Sequence, residues 1–65
     1  MNENKELTRQ IREAFEEFAG RKVRDKVIVI AVRHAQRIHQ SDPALSRKEI
    51  IDQAILQTVK DGAAF

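Results

Sequence analysis

Residues 21–38 read RKVRDKVIVIAVRHAQRI, and the secondary structure of this stretch decides the fold. Four β-branched residues in succession, Val27 to Ile30, favour a strand. On a helical wheel, however, the apolar positions and one histidine fall within an arc of roughly 140°. These positions are Val27, Ile28, Ala31, Val32, Ala35, Ile38 and His39. Because this pattern outlasts a usual strand, the sequence predicts a helix over about residues 24–40.

A first helix is predicted over about residues 5–19. Its apolar stripe recurs at spacings of three and four residues, as one face of a helix requires. The stripe consists of Leu7, Ile11, Ala14 and Phe18, widened by Phe15. Asn4 is the candidate N-cap, and Gly20 suits the left-handed position that follows a helix.

A third helix is predicted over about residues 46–60. Ser46 and Glu49 have the spacing of a capping box, in which each side chain bonds the backbone N–H of the other residue. An apolar half of the helix follows this start. It consists of Ile50, Ile51, Ala54, Ile55, Thr58 and Val59. Gly62 ends the pattern, and Lys60 places a cation in the last turn.

Three such helices predict a small all-α domain that occupies the whole chain of 65 residues. A chain this short buries a modest core, and small domains often compensate with disulfides, a metal or an oligomer interface. The sequence has no cysteine. Val29, Ile30 and Leu56 lie off the apolar stripes, so we expect a homodimer whose interface contains these three residues.

An alternative fold follows from a resemblance. The run LSRKEIIDQAILQTVKDG, residues 45–62, resembles the second helix of ribbon-helix-helix repressors. The resemblance implies an α+β dimer with an extra N-terminal helix, in which residues 21–27 form an antiparallel ribbon on DNA. The ribbon side chains toward DNA would be Lys22, Arg24 and Lys26. The same alternation would turn Asp25 toward the core beside Val23 and Val27.

The charge distribution gives the strongest indication of function. The net charge is +2, but residues 21–40 carry six bases against one acid, whereas the segments on either side are net acidic. The six bases are Arg21, Lys22, Arg24, Lys26, Arg33 and Arg37. Basic side chains in one segment suit the phosphates of a nucleic acid, and duplex DNA is favoured because aromatics for base stacking are missing.

We therefore predict a small DNA-binding regulatory protein that uses the basic central segment. The alternative is a protein-binding regulator, such as an antitoxin, an anti-activator or a phage-type inhibitor. It would contact its target through the acidic first helix or an apolar patch. Residues 1–20, which contain this helix, carry five acids against three bases: Glu3, Glu6, Glu13, Glu16 and Glu17.

The sequence shows no pattern typical of an enzyme, a cofactor site or a metal site. His34 and His39 are five residues apart, about 140° around a helix, so they do not form a chelating i, i+4 pair. We interpret both as structural, either at the core edge or hydrogen-bonded. Ser41 and Ser46 have turn or capping explanations. We expect no catalytic residue, no metal ligand and no small-molecule substrate.

The apolar segments are short. The longest uninterrupted run covers residues 27–32, far less than a bilayer requires, and the first ten residues are polar. Together with the absence of cysteine, this leads us to expect a cytoplasmic protein without membrane contact.

Overall fold

The computed structural model describes residues 2–62, with side chains from Lys5 onward. These residues form three helices in chain order, α1 (Asn2–Ala19), α2 (Asp25–Ser41) and α3 (Arg47–Lys60), and the described range contains no strand. The predicted all-α three-helix fold is confirmed. The ribbon-helix-helix alternative is wrong, because residues 22–24 are irregular and Val27–Ile30 lie within α2. Asn4 lies inside α1 and is not its N-cap.

The central stretch forms a helix because helical spacing buries a continuous apolar side. Val27, Ile28, Ala31 and Ala35 of α2 are buried, which no alternating pattern would achieve. Burial of this side outweighs the small helix penalty of β-branched residues. His39, predicted to share the stripe, is exposed near the C-terminus of α2, so its core-edge interpretation is wrong.

The core lies where the three helices meet, with Ile11 and Phe15 of α1 fully buried at its centre. All three helices and the α1–α2 connection contribute to it. Its buried hydrophobic members are Ile11, Phe15, Val23, Val27, Ile28, Ala31, Ala35, Ile50, Ile51, Ala54 and Ile55. Thr58 is also buried, and its hydroxyl donates to the Ala54 carbonyl at 2.7 Å. Its polar group is therefore satisfied within its own helix.

Two residues predicted for the apolar stripes are largely outside the core. Phe18 is 56% exposed and Val59 is 37% exposed. Phe18 lies in the last turn of α1, and its ring meets that of Phe15 edge-on at 6.3 Å between centroids. A helical wheel gives the direction of a side chain but not the extent of the helix that packs against it.

The α1–α2 connection folds back onto α1. Gly20 adopts a φ of 71°, a left-handed conformation that suits glycine, and Val23 is buried. The backbone of Val23 is held on both sides. Its N–H donates to the Glu16 carboxylate at 3.2 Å, and its carbonyl accepts from the Arg12 guanidinium at 3.3 Å.

The start of α3 is the predicted capping box. The Ser46 hydroxyl accepts from the Glu49 N–H at 3.2 Å, and the Glu49 carboxylate accepts from the Ser46 N–H at 3.2 Å. These bonds satisfy two backbone donors that the helix itself leaves unpaired. Over residues 2–62, none of the helices combines the length and apolarity needed to cross a bilayer.

Candidate functional site

All six cations of the central segment are exposed, and we call them the basic face. They are Arg21, Lys22 and Arg24 in the α1–α2 connection and Lys26, Arg33 and Arg37 on α2. The three on α2 span about 40° of the helix, on the side opposite the buried residues. None of the six forms a hydrogen bond or an ion pair with a described residue. Their guanidinium and ammonium groups are therefore available to an external anion.

The single acid of the central segment, residues 21–40, forms an ion pair with a residue of another helix. Asp25, in the first turn of α2, pairs with Arg12 of α1. The same arginine bonds the carbonyl of Val23 and lies 3.8 Å from the Glu16 carboxylate. Arg12 thus bonds the basic connection at two points, the Val23 carbonyl and the Asp25 carboxylate. Sequence analysis gave Arg12 no such role, because its partners lie 11 and 13 residues away in the chain.

At one edge the basic face borders a groove between α2 and α3 with a volume of about 390 Å³. Arg37 and Lys60 line it, together with His34. His34 Nε2 lies 2.7 Å from a carboxylate oxygen of Asp61, which confirms the hydrogen-bonded interpretation of this histidine. The bond to His34 is the main reason that the pKa of Asp61 is lowered, and the bond from Gln57 adds to it.

A second groove, between α1 and α3, has a volume of about 1000 Å³, and we call it the α1–α3 groove. Gln10 and Arg47 meet across it at 3.0 Å. Its apolar lining consists of Ala14, Phe18, Ile51, Ile55 and Leu56. Its charged lining consists of Glu13 and Glu17 on α1 and Arg47, Lys48 and Asp52 on α3. The groove therefore combines exposed apolar surface with charges of both signs.

The three predicted interface residues are exposed, but they do not share one surface. Leu56, 54% exposed, lines both grooves, whereas Val29 and Ile30 line neither and lie on α2 beside Lys26 and Arg33. The homodimer and its interface stay predictions. Besides Arg12, sequence analysis missed Phe18, which it assigned to the core although it borders the α1–α3 groove.

Across residues 5–62, no cluster of three or more His, Asp or Glu side chains could hold a metal ion. The same residues contain no buried side-chain nitrogen or oxygen without a hydrogen-bond partner. The expectations that the protein is not an enzyme and needs no cofactor stay predictions. No family model, curated protein or solved structure matches the chain.

Proposed function

We propose that this protein is a cytoplasmic, non-enzymatic regulator that binds duplex DNA through its basic face. The observation that carries the proposal is the set of six exposed cations without an ion-pair partner among the described residues. Each cation that meets a phosphate displaces condensed counterions, and this release is the main source of affinity for DNA.

The basic face also rests on a rigid support. Val27, Ile28, Ala31 and Ala35 anchor the opposite side of α2 in the core, so the cations of this helix keep a common direction. Bonds from Arg12 and Glu16 hold the connection that carries the other three cations. A fixed arrangement of charges loses less conformational entropy on binding than a flexible one.

The absence of stacking groups favours duplex over single-stranded nucleic acid. Phe15 is buried and Phe18 borders the α1–α3 groove, so neither belongs to the basic face. The third phenylalanine, Phe65, lies outside the described residues. Without aromatic platforms, contact to the phosphate backbone is the favoured mode.

The test is a titration with duplex DNA at several salt concentrations. For a dimer that uses three or four cations per chain, the expected slope of log K against log salt is about −5 to −7. Changing Arg33 and Arg37 together to Gln removes up to two phosphate contacts per chain. The slope should then flatten by about 2 if one chain contacts DNA and by about 4 if both do.

The matched control changes Lys5 and Arg9 to Gln, which removes the same charge from α1. Both are exposed on that helix, and Arg9 already pairs with Glu6 at 2.5 Å. Arg12 is unsuitable as a control because it positions the basic connection. Undetectable binding at low salt, or equal slopes for the two double variants, would contradict the proposal.

A second candidate function has its own supporting observation. Phe18 and Leu56 are more than half exposed on the α1–α3 groove, beside the exposed acids Glu13 and Glu17. A protein-binding regulator would use such a surface to bury apolar side chains of its target. If this is the function, Phe18→Ser with Leu56→Ser abolishes target binding, whereas the Arg33 and Arg37 double variant leaves it unchanged. A pull-down of an identified target with both variants checks this.

A further inference from the structure

We propose that the α1–α3 groove is the surface through which two copies of this chain form a symmetric dimer. Each copy would place the acidic α1 wall of its groove opposite the α3 wall of the other copy, whose net charge is positive. The inference is independent of DNA binding, because the groove contains none of the six cations of the basic face.

The groove exposes large apolar side chains that a partner chain would cover. Phe18 and Leu56 are the most exposed of the large apolar side chains that the structure describes, at 56% and 54%. On each helix the lining residues recur at spacings of three and four, so the two helices border the groove along two turns or more. Contact with a partner would remove this apolar surface from water.

The charges of the groove complement those of a second copy. Glu13 and Glu17 give the α1 wall a charge of −2, and neither forms an ion pair with a described residue. The α3 wall carries Arg47 and Lys48 against Asp52, which leaves +1. A two-fold axis along the groove brings each α1 wall opposite the α3 wall of the other copy. The same contact between walls of opposite net charge then occurs twice, because in a two-fold dimer both copies use the same surface.

The alternative contact through α2 is electrostatically unfavourable. Val29 and Ile30 lie beside Lys26, Arg33 and Arg37, none of which has an ion-pair partner among the described residues. Two copies that met through these residues would bring their cations close together, while Asp25, the only acid on α2, already pairs with Arg12. Pairing through the α1–α3 groove avoids this repulsion and leaves both basic faces exposed.

The experiment is sedimentation of two charge-reversed variants, alone and mixed. One variant carries Glu13→Lys and Glu17→Lys, and the other carries Arg47→Glu and Lys48→Glu. Each variant alone sets like charges against each other, so its dimer Kd should rise by at least about tenfold over that of the unmodified protein. In the mixture the walls are complementary again. A dimer should re-form between the two variants, with a Kd close to that of the unmodified protein.

Circular dichroism provides the folding check. The four positions are exposed, and glutamates at the first two positions of α3 suit the helix dipole, so helix content should not change. The matched control is Ile30→Glu, which alters an exposed apolar residue outside the groove and should leave the dimer intact. As a second check, Phe18→Ser should weaken the dimer without any change of charge.

Four results would overturn the proposal. One is a monomer mass for the unmodified protein throughout the micromolar range. A second is a dimer that Ile30→Glu dissociates while both charge-reversed variants still pair, which would locate the contact on α2. A third is a mixture that stays monomeric although each variant is folded and monomeric alone. The fourth is a groove that is occupied by a different protein while the unmodified chain is monomeric, which would favour the protein-binding function instead.

Discussion

The basic face and the α1–α3 groove are both exposed, but they differ in how charge and apolar surface are combined. The basic face has one sign of charge, and its apolar neighbours Val29 and Ile30 are separated by cations. The groove has both signs and gathers Phe18 and Leu56 on one surface. The first arrangement attracts an anion over a distance, whereas the second gains free energy only when close contact removes it from water.

The difference arises from how the acids of α1 are distributed. Glu6 pairs with Arg9, and Glu16 bonds the α1–α2 connection. Glu13 and Glu17 form no ion pair with a described residue and face the groove. From residue 5 onward, no carboxylate of α1 forms an ion pair with a cation of the basic face. No ion pair between described residues thus joins the two surfaces.

The largest expected effect on stability comes from a core residue beneath the groove, in contrast to a residue at the border of the groove. Phe15→Ala removes a fully buried ring and should cost about 3–5 kcal/mol of unfolding free energy, a large part of the total for a domain of this size. Phe18→Ala removes a ring that is more than half exposed and should cost less than about 1 kcal/mol in the monomer. Urea denaturation at low protein concentration, where a dimer contributes little, measures both.

Equal losses of unfolding free energy for Phe15→Ala and Phe18→Ala would contradict this prediction. They would mean that the ring of Phe18 is covered in the monomer and that the groove is closed. If Phe18→Ala instead lowers the unfolding free energy only at higher protein concentration, the comparison is supported. Such a dependence is the mark of a side chain that stabilises the dimer and not the single domain.

The two phenylalanines also show how far the sequence could predict this structure. Periodicity and capping signals identified three helices and the capping box, because these features depend on residues three or four positions apart. The exposure of Phe18 and the pairing of Arg12 with Asp25 depend on how the helices pack. No local pattern encodes such contacts. The cations were identified from the distribution of charge along the sequence, but their lack of ion-pair partners among the described residues is seen only in the structure.

The next largest effect concerns the helix that forms one wall of the groove. Ser46→Ala removes the oxygen that accepts from the Glu49 N–H at the start of α3, and it should cost about 0.5–2 kcal/mol. Ser41→Ala is the matched control, since Ser41 is exposed in the last turn of α2 and no hydrogen bond of its side chain is found. Thermal denaturation of both variants distinguishes them, and equal melting temperatures would mean that the capping box does not stabilise α3.

A smaller effect concerns the support of the basic face. Arg12→Gln loses the ion pair with Asp25 and weakens the hold on the Val23 carbonyl. Because Asp25 is largely exposed, solvent screens the pair, and we expect a loss of only about 0.5–1 kcal/mol. Arg9→Gln breaks a local pair within α1 and is the control. Amide exchange in residues 20–25 should quicken in the first variant only, and unchanged exchange there would remove Arg12 from its positioning role.

The smallest expected effect is the pH dependence of the pair at the edge of the basic face. The hydrogen bond to His34 holds the pKa of Asp61 below its ordinary value of 3.8. A carboxyl group whose pKa is lower in the folded state stabilises the fold above its unfolded pKa, and this contribution disappears as pH falls through the folded pKa. Asp61→Asn should therefore flatten the dependence of unfolding free energy on pH below about pH 4, with little change in slope above it.

The control for this prediction is Asp52→Asn, on α3, whose side chain has no hydrogen bond to a described residue. If both variants keep the slope of the unmodified protein, the bond between His34 and Asp61 does not persist in solution, and the basic face would then border an unpaired acid.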